Sequence, residues 1–195
     1  VSGVTTAPWI ETVPPQDADG VLGEAYGWQA QRLGEPAEFT LLGSLYPDLV
    51  LERLRLYKVV DETPSALTHE ERLLIAFTVS LLNRTPHCSS GLLHKLRDAG
   101  VPEGVISDIE DDPGSPLTGN IRLDHILLYA GKLTRTPGDI TQGDIEVLRR
   151  SGLSDLDILD VNNLAAYYNY INRVANGLGL RSTIPVEHAL NSVPS

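Results

Sequence analysis

The chain has 195 residues, enough for one domain of ordinary size or two small ones. Its 42% hydrophobic and 21% charged content is that of a globular protein, and no apolar run is long enough to span a bilayer. Fifteen basic residues against 26 acidic ones give a net charge of −11, which excludes the basic stripe that nucleic acid or an anionic membrane requires.

Pro8, Pro14, Pro15 and Gly20 punctuate residues 1–20, which read as an extended arm. This arm lacks the basic and apolar regions of a leader peptide, so a cytoplasmic location is expected. A single domain is expected over 21–180, with a tail over 181–195. Leu22 to Leu33 reads as a short helix ended by Gly34. Pro47 suits the first turn of a helix over Asp48–Val60, where Leu49, Val50, Leu54 and Tyr57 fit one apolar face. Thr68 and Glu71 form a capping-box pair ahead of a helix to about Leu82. A further helix follows Thr85. The run Asp111-Asp112-Pro113-Gly114-Ser115-Pro116 breaks the chain, and helical periodicity returns over Ile121–Leu133. Thr141 caps a short helix that ends near Gly152. Ser154 and Asp157 start a long one that ends at the Gly177/Gly179 pair. No alternating strand pattern is present, so the fold class is all-α. Leu96-Arg97-Asp98-Ala99-Gly100-Val101-Pro102-Glu103 is echoed 52 residues later by Leu148-Arg149-Arg150-Ser151-Gly152-Leu153-Ser154-Asp155. Both read as helix end, glycine stop and new helix start, which suggests a repeated helical unit.

Cys88 is the single cysteine, so an internal disulfide and an intramolecular dithiol cycle are both excluded. Thr85 can cap its helix and Pro86 suits the first helical position, which puts Cys88 third. Free N–H groups and the helix dipole at that point favour a thiolate, with His87 beside it. The competing reading makes Cys88 a small buried hydrophobe. His87 and His94 share a helix face, but their seven-residue separation is not that of a metal pair. His69 reads as a solvated residue at a helix start. The neighbours Asp124 and His125 point in different directions, so no dyad follows. No metal and no nucleotide, flavin or haem cofactor is expected.

The last long helix carries Asn162, Asn163, Tyr167, Tyr168, Asn169, Tyr170, Asn172 and Arg173. Asparagine is a mediocre helix former, so tertiary contacts must hold this segment. It lines a pocket, or it forms an interface or a buried polar network. Arg173 could clamp a carboxylate or phosphate, or pair with an acid. Trp9, Trp28 and Tyr26 cover a cavity or pack the arm.

Several segments together resemble the alkylhydroperoxidase D-like (AhpD-like, carboxymuconolactone decarboxylase-like) family, on its peroxidase-related branch. They are Pro8-Trp9-Ile10, Leu56-Tyr57-Lys58-Val59-Val60, Leu67-Thr68-His69-Glu70-Glu71-Arg72, Ser80-Leu81-Leu82-Asn83-Arg84, Tyr129-Ala130-Gly131-Lys132-Leu133-Thr134 and Asn169-Tyr170-Ile171-Asn172-Arg173-Val174-Ala175. The resemblance implies a helical subunit that assembles as a homotrimer or homohexamer; a dimer is an alternative. It also implies a redox motif of Glu, Cys-x-x-Cys and His. Here those positions fall on Leu73, Thr85, Cys88 and Leu92, so one functional residue remains.

Three functions stand open. The first is an AhpD-like small-molecule enzyme of non-redox chemistry (decarboxylase, lyase or cyclase type) in a specialised pathway. The second is a one-cysteine peroxidase-related oxidoreductase that uses Cys88 and an external thiol. The third is a non-catalytic oligomeric binding protein. The candidate catalytic residues are Cys88, His87, Tyr167, Asn169 and Arg173, and the expected partners are a small-molecule substrate and further copies of the chain.

Overall fold

The computed structural model describes residues 8–181. These residues form α-helices joined by loops and short 3₁₀ turns, and no strand occurs among them. The helices are α1 (Gly20–Leu33), α2 (Glu38–Leu41), α3 (Pro47–Asp61), α4 (His69–Leu82), α5 (Pro86–Asp98), α6 (Glu103–Asp111), α7 (Ile121–Arg135), α8 (Gln142–Arg150) and α9 (Asp155–Gly177). Capping boxes start α4, α8 and α9, at Thr68/Glu71, Thr141/Asp144 and Ser154/Asp157. Pro47 and Pro86 occupy first turns, where the missing N–H is not needed.

Helix α4 is the axis of the molecule. Every residue from Arg72 to Ser80 is buried, and α5, α7 and α9 pack around it. A helix with no wet face must find apolar neighbours on all sides. Ile75, Phe77 and Val79 meet Leu96, Ile106, Ile126, Leu127 and Leu164 in one continuous core. A smaller cluster of Leu22, Ala25, Tyr26, Val50 and Leu51 joins α1 to α3. Trp28 packs against that cluster.

The repeated segment is a repeated turn. Val101 N–H reaches Leu96 O at 3.0 Å, and Leu153 N–H reaches Leu148 O at 3.2 Å. Gly100 and Gly152 sit in left-handed conformations, with φ of 75° and 86°. Arg97 pairs with Glu103 at 2.8 Å, and Arg149 pairs with Asp155 at 2.8 Å, across the two turns.

The loop after α3 is clamped to α4 and α9. The buried Arg72 guanidinium donates to both carboxylate oxygens of Asp160, to Val60 O and Thr63 O, and to Ser65 Oγ. Ala66 N–H donates to Asp157 at 2.6 Å. This clamp sets α3 alongside α9. The described part of the arm, from residue 8, lacks regular helix apart from a 3₁₀ turn at Pro15–Asp17, and it folds back onto the domain. Trp9 N–H donates to Leu178 O at 2.9 Å, and the indole lies against Gly179, where an added Cβ would come within 2.5 Å of the ring. One side of Trp9 thus packs against the end of the described chain, while the rest of the ring is exposed. The sequence did not announce α2, and residues 1–7 and 182–195 of the expected arm and tail lie outside the described residues.

Candidate functional site

Helix α5 begins after Arg84, a non-glycine residue at φ 52°. That left-handed turn lets Thr85 N–H reach Ser80 O at 3.0 Å and sends the chain into α5. Thr85 then stands at the cap, Pro86 first and Cys88 third, as the sequence predicts. The Thr85 side chain does not cap. Its buried hydroxyl accepts a hydrogen bond from Asn176 Nδ2 at 2.9 Å and ties α5 to α9.

The expected lowering of the Cys88 pKa does not occur. Cys88 is partly buried and packs against the main core. Burial pushes the thiol up to about 12, and nearby Lys95 offsets only part of this. Desolvation outweighs the helix dipole, so the thiol is protonated at neutral pH. Leu73 and Leu92 are buried in the same core.

Two of the five candidate residues, Cys88 and Tyr167, come within electrostatic reach of each other, and His87 precedes Cys88 on α5. His87 is buried, with Nδ1 3.3 Å from Glu38 Oε2 on α2. Cys88 follows it and lies within electrostatic reach of Tyr167 and Tyr168. Tyr167 packs against Tyr57, with ring centroids 5.6 Å apart, and edge-on to Tyr168 at 5.9 Å. Burial raises the pKa of Tyr167.

Asn169 and Arg173 stand elsewhere. Asn169 accepts from Asn83 at 2.9 Å and donates to Thr134 at 3.0 Å. Arg173 is exposed and donates to the Asn169 side chain at 2.6 Å, not to an acid. Asn172 bonds Ser80, and Asn176 bonds Asn83 O, so the asparagines of α9 form a polar network against α4 and the start of α5.

Sequence reasoning missed Arg53. It sits on α3 among Val50, Leu54 and Tyr57, and a charge inside an apolar stripe was the available sign. Arg53 is 5% exposed, and its guanidinium lies 4.3 Å from the Phe39 ring centre. The phenols of Tyr167 and Tyr170 are within its electrostatic reach.

Two cavities border these elements. An open groove of about 380 Å³ runs between α3 and α9, lined by Leu56, Val59, Asn163, Ala166, Tyr167 and Tyr170. Another, of about 500 Å³, lies beside α7, and the polar groups there are already engaged. His125 bonds Ser151 at 2.6 Å, Lys132 pairs with Asp144 at 2.7 Å, and Arg135 donates to Gly114 O at 3.1 Å. No group of three or more His, Cys, Asp or Glu that could hold a metal occurs among the described residues.

No protein-family model and no curated protein matches the sequence. Solved structures do. A peroxidase-related protein from Ralstonia eutropha JMP134 with an alkylhydroperoxidase AhpD core superposes with a TM-score of 0.82 at 20% identity, over 97% of this chain and 99% of that one. The chain has the AhpD-like fold. A peroxidase-related protein from Silicibacter sp. TM1040 matches at 23% identity and TM-score 0.71, over 93% of this chain and 92% of that one. The debrominase Bmp8, in a cysteine-to-alanine variant bound to 2,3,4-tribromopyrrole, matches at 18% identity and TM-score 0.74, over 99% of this chain and 100% of that one. The AhpD-like fold is thus shared by proteins labelled peroxidase-related and by an enzyme labelled a debrominase. No helix among the described residues is long and apolar enough to cross a membrane.

Proposed function

We propose that the protein is a small-molecule enzyme that works in the α3–α9 groove by chemistry that needs no dithiol, of decarboxylase, lyase or cyclase type. The observation that carries this reading is the state of Cys88: a lone, protonated, core-packed thiol beside a groove lined by tyrosines. Thiol peroxidase chemistry starts from a thiolate, which this environment suppresses. The debrominase supports the reading, because it puts a further chemistry on the same fold. In the proposed role the Tyr167 phenol stays protonated. It can donate a hydrogen bond to a developing oxyanion. Asn163 supplies a second polar contact on the groove wall. We infer further that the protein self-associates, as a trimer or a multiple of it. The exposure of Leu117, Ile121 and Val59 supports this.

The test is a substrate screen followed by two variants. Tyr167→Phe should lower turnover by about 10²–10³-fold with the fold intact. Cys88→Ser should leave turnover near wild type. Peroxide reduction that requires an added thiol and disappears in Cys88→Ser would instead assign the one-cysteine oxidoreductase. Ligand binding with no turnover of any bound compound would assign a binding protein.

A further inference from the structure

Two arginines are buried inside this molecule, and their surroundings differ. Arg72 is matched by Asp160 and by backbone and hydroxyl acceptors. Arg53 is equally buried, yet among the described residues no carboxylate lies within ion-pair distance of it. Its one hydrogen bond runs from Nη2 to Phe39 O at 3.3 Å, and its one stacking partner is the Phe39 ring. Four of its five N–H donors are therefore unspent. A buried cation without a counter-anion is costly, and a bound anion would offset that cost.

Glycine at position 43 spares the guanidinium a further contact. An added Cβ at Gly43 would stand 3.2 Å from Arg53 Nη1 and 3.0 Å from Val50, so the bare backbone there keeps the guanidinium clear. The side-chain atoms that are both sealed from solvent and unpartnered, among the described residues, are Thr78 Oγ1 and Asn176 Oδ1. The unspent edge of Arg53 is not one of them, so it keeps a route to solvent. Arg53 lies one helical turn before Leu56 on α3, and Tyr167 and Tyr170, which line the groove, are within its electrostatic reach. Burial pulls its pKa down.

We propose that Arg53 anchors a small monoanion, a carboxylate on an apolar body, in the α3–α9 groove. The proposal rests on the reading of that groove as the ligand site. A carboxylate accepts two parallel N–H bonds from a guanidinium. The body then lies along Leu56, Val59 and Tyr167, in a space suited to a small aromatic or branched aliphatic group. The chain's net charge of −11 opposes a dianion more strongly than a monoanion, which favours a carboxylate over a phosphate ester.

The experiment titrates the full chain with phenylacetate, its neutral analogue phenylacetamide, and phenyl phosphate, followed by calorimetry and amide chemical shifts. Phenylacetate should bind the wild type at least tenfold more tightly than phenylacetamide. Arg53→Met should erase that preference, with a melting temperature equal to or above wild type, because an uncompensated buried charge is gone; a purely structural arginine would show a fall instead. Should Arg53→Met not fold, Ala166→Phe decides. It fills the groove from an exposed position on α9 and should abolish phenylacetate binding. Equal affinity for acid and amide, or undiminished phenylacetate binding in either variant, overturns the proposal. Tighter binding of phenyl phosphate overturns the monoanion assignment. Acid-selective binding without turnover of any carboxylate would sink the enzymatic reading and leave the anion site standing. Turnover of uncharged compounds without acid-selective binding would do the reverse.

Discussion

A cysteine three positions into a helix, behind a threonine and a proline, ordinarily ionises early. Cys88 does not, because its sulfur faces packed core and aromatic rings where a negative charge loses its hydration. Alkylation at pH 8 should therefore be slow. A thiol at about 12 carries roughly a thousandfold less thiolate than one at an ordinary 9. Its greater intrinsic nucleophilicity recovers only part of that, so iodoacetamide should react at least about tenfold more slowly with the folded protein than with the urea-unfolded chain. Mass spectrometry of timed samples measures this, and equal rates would refute the buried-thiol description. Stability carries the same signature. Above pH 9 the unfolded chain loses the Cys88 proton while the folded protein keeps it, so stability should fall between pH 9 and about 12. Below pH 9 both states hold the proton and the contribution is flat. Cys88→Ala should remove that share of the alkaline slope in denaturant titrations run at each pH.

Elements owe their boundaries to local chemistry and their positions to a few long-range clamps. Arg72 and Asp160 are the main clamp. Replacement of Arg72 by Met leaves Asp160 buried and unpaired, at a cost of about 3–5 kcal/mol. The double variant Arg72→Met, Asp160→Leu should recover most of that loss in chemical denaturation, since removal of both charges leaves neither stranded. The paired turns offer a second comparison. Gly100→Ala and Gly152→Ala both meet open space, so backbone conformation alone sets the cost. Each should lose about 1–2 kcal/mol, by similar amounts, because the two turns share one geometry. The capping boxes at Thr68, Thr141 and Ser154 were legible in the sequence because a cap involves four neighbouring residues. Helix α2 was not, since four residues, Glu38–Leu41, are too few to show a period. The site divides in the same way. Cys88 and His87 could be found from their local setting. The approach of Arg53 to Tyr167 depends on how α3 lies along α9, which residue spacing along either helix does not encode. Asn169 and Arg173 share a helix with Tyr167, but their side chains bond to Thr134 and to each other and are not on the groove lining.

At the scale of the whole molecule, charge and apolar exposure act against each other. A net charge of −11 repels a second copy, while Leu117, Ile121 and Val59 present apolar surface that a partner could cover. The proposed self-association should therefore strengthen as salt rises from low to physiological levels, because screening weakens the repulsion and leaves burial of apolar area intact. Light scattering across a salt series would show this as a mass that increases to a trimer or a multiple of it. A monomer at every salt and working concentration would end the proposal.

Trp9 meets Leu178 and Gly179, and Arg181 lies over the Trp9 ring. The first and last described segments thus touch, and the domain is a nearly closed ring of chain. Where the chain is cut then becomes a matter of convenience for folding. A short flexible linker from the region after Arg181 to the region before Pro8 should let new ends be opened in the loop between α6 and α7, near Leu117, without loss of the core. Such a circular permutant should retain the helical circular-dichroism spectrum and a single cooperative melt. It would also carry its fusion partners at the α6–α7 loop, which makes the order of elements along the chain a separable property from their arrangement in space.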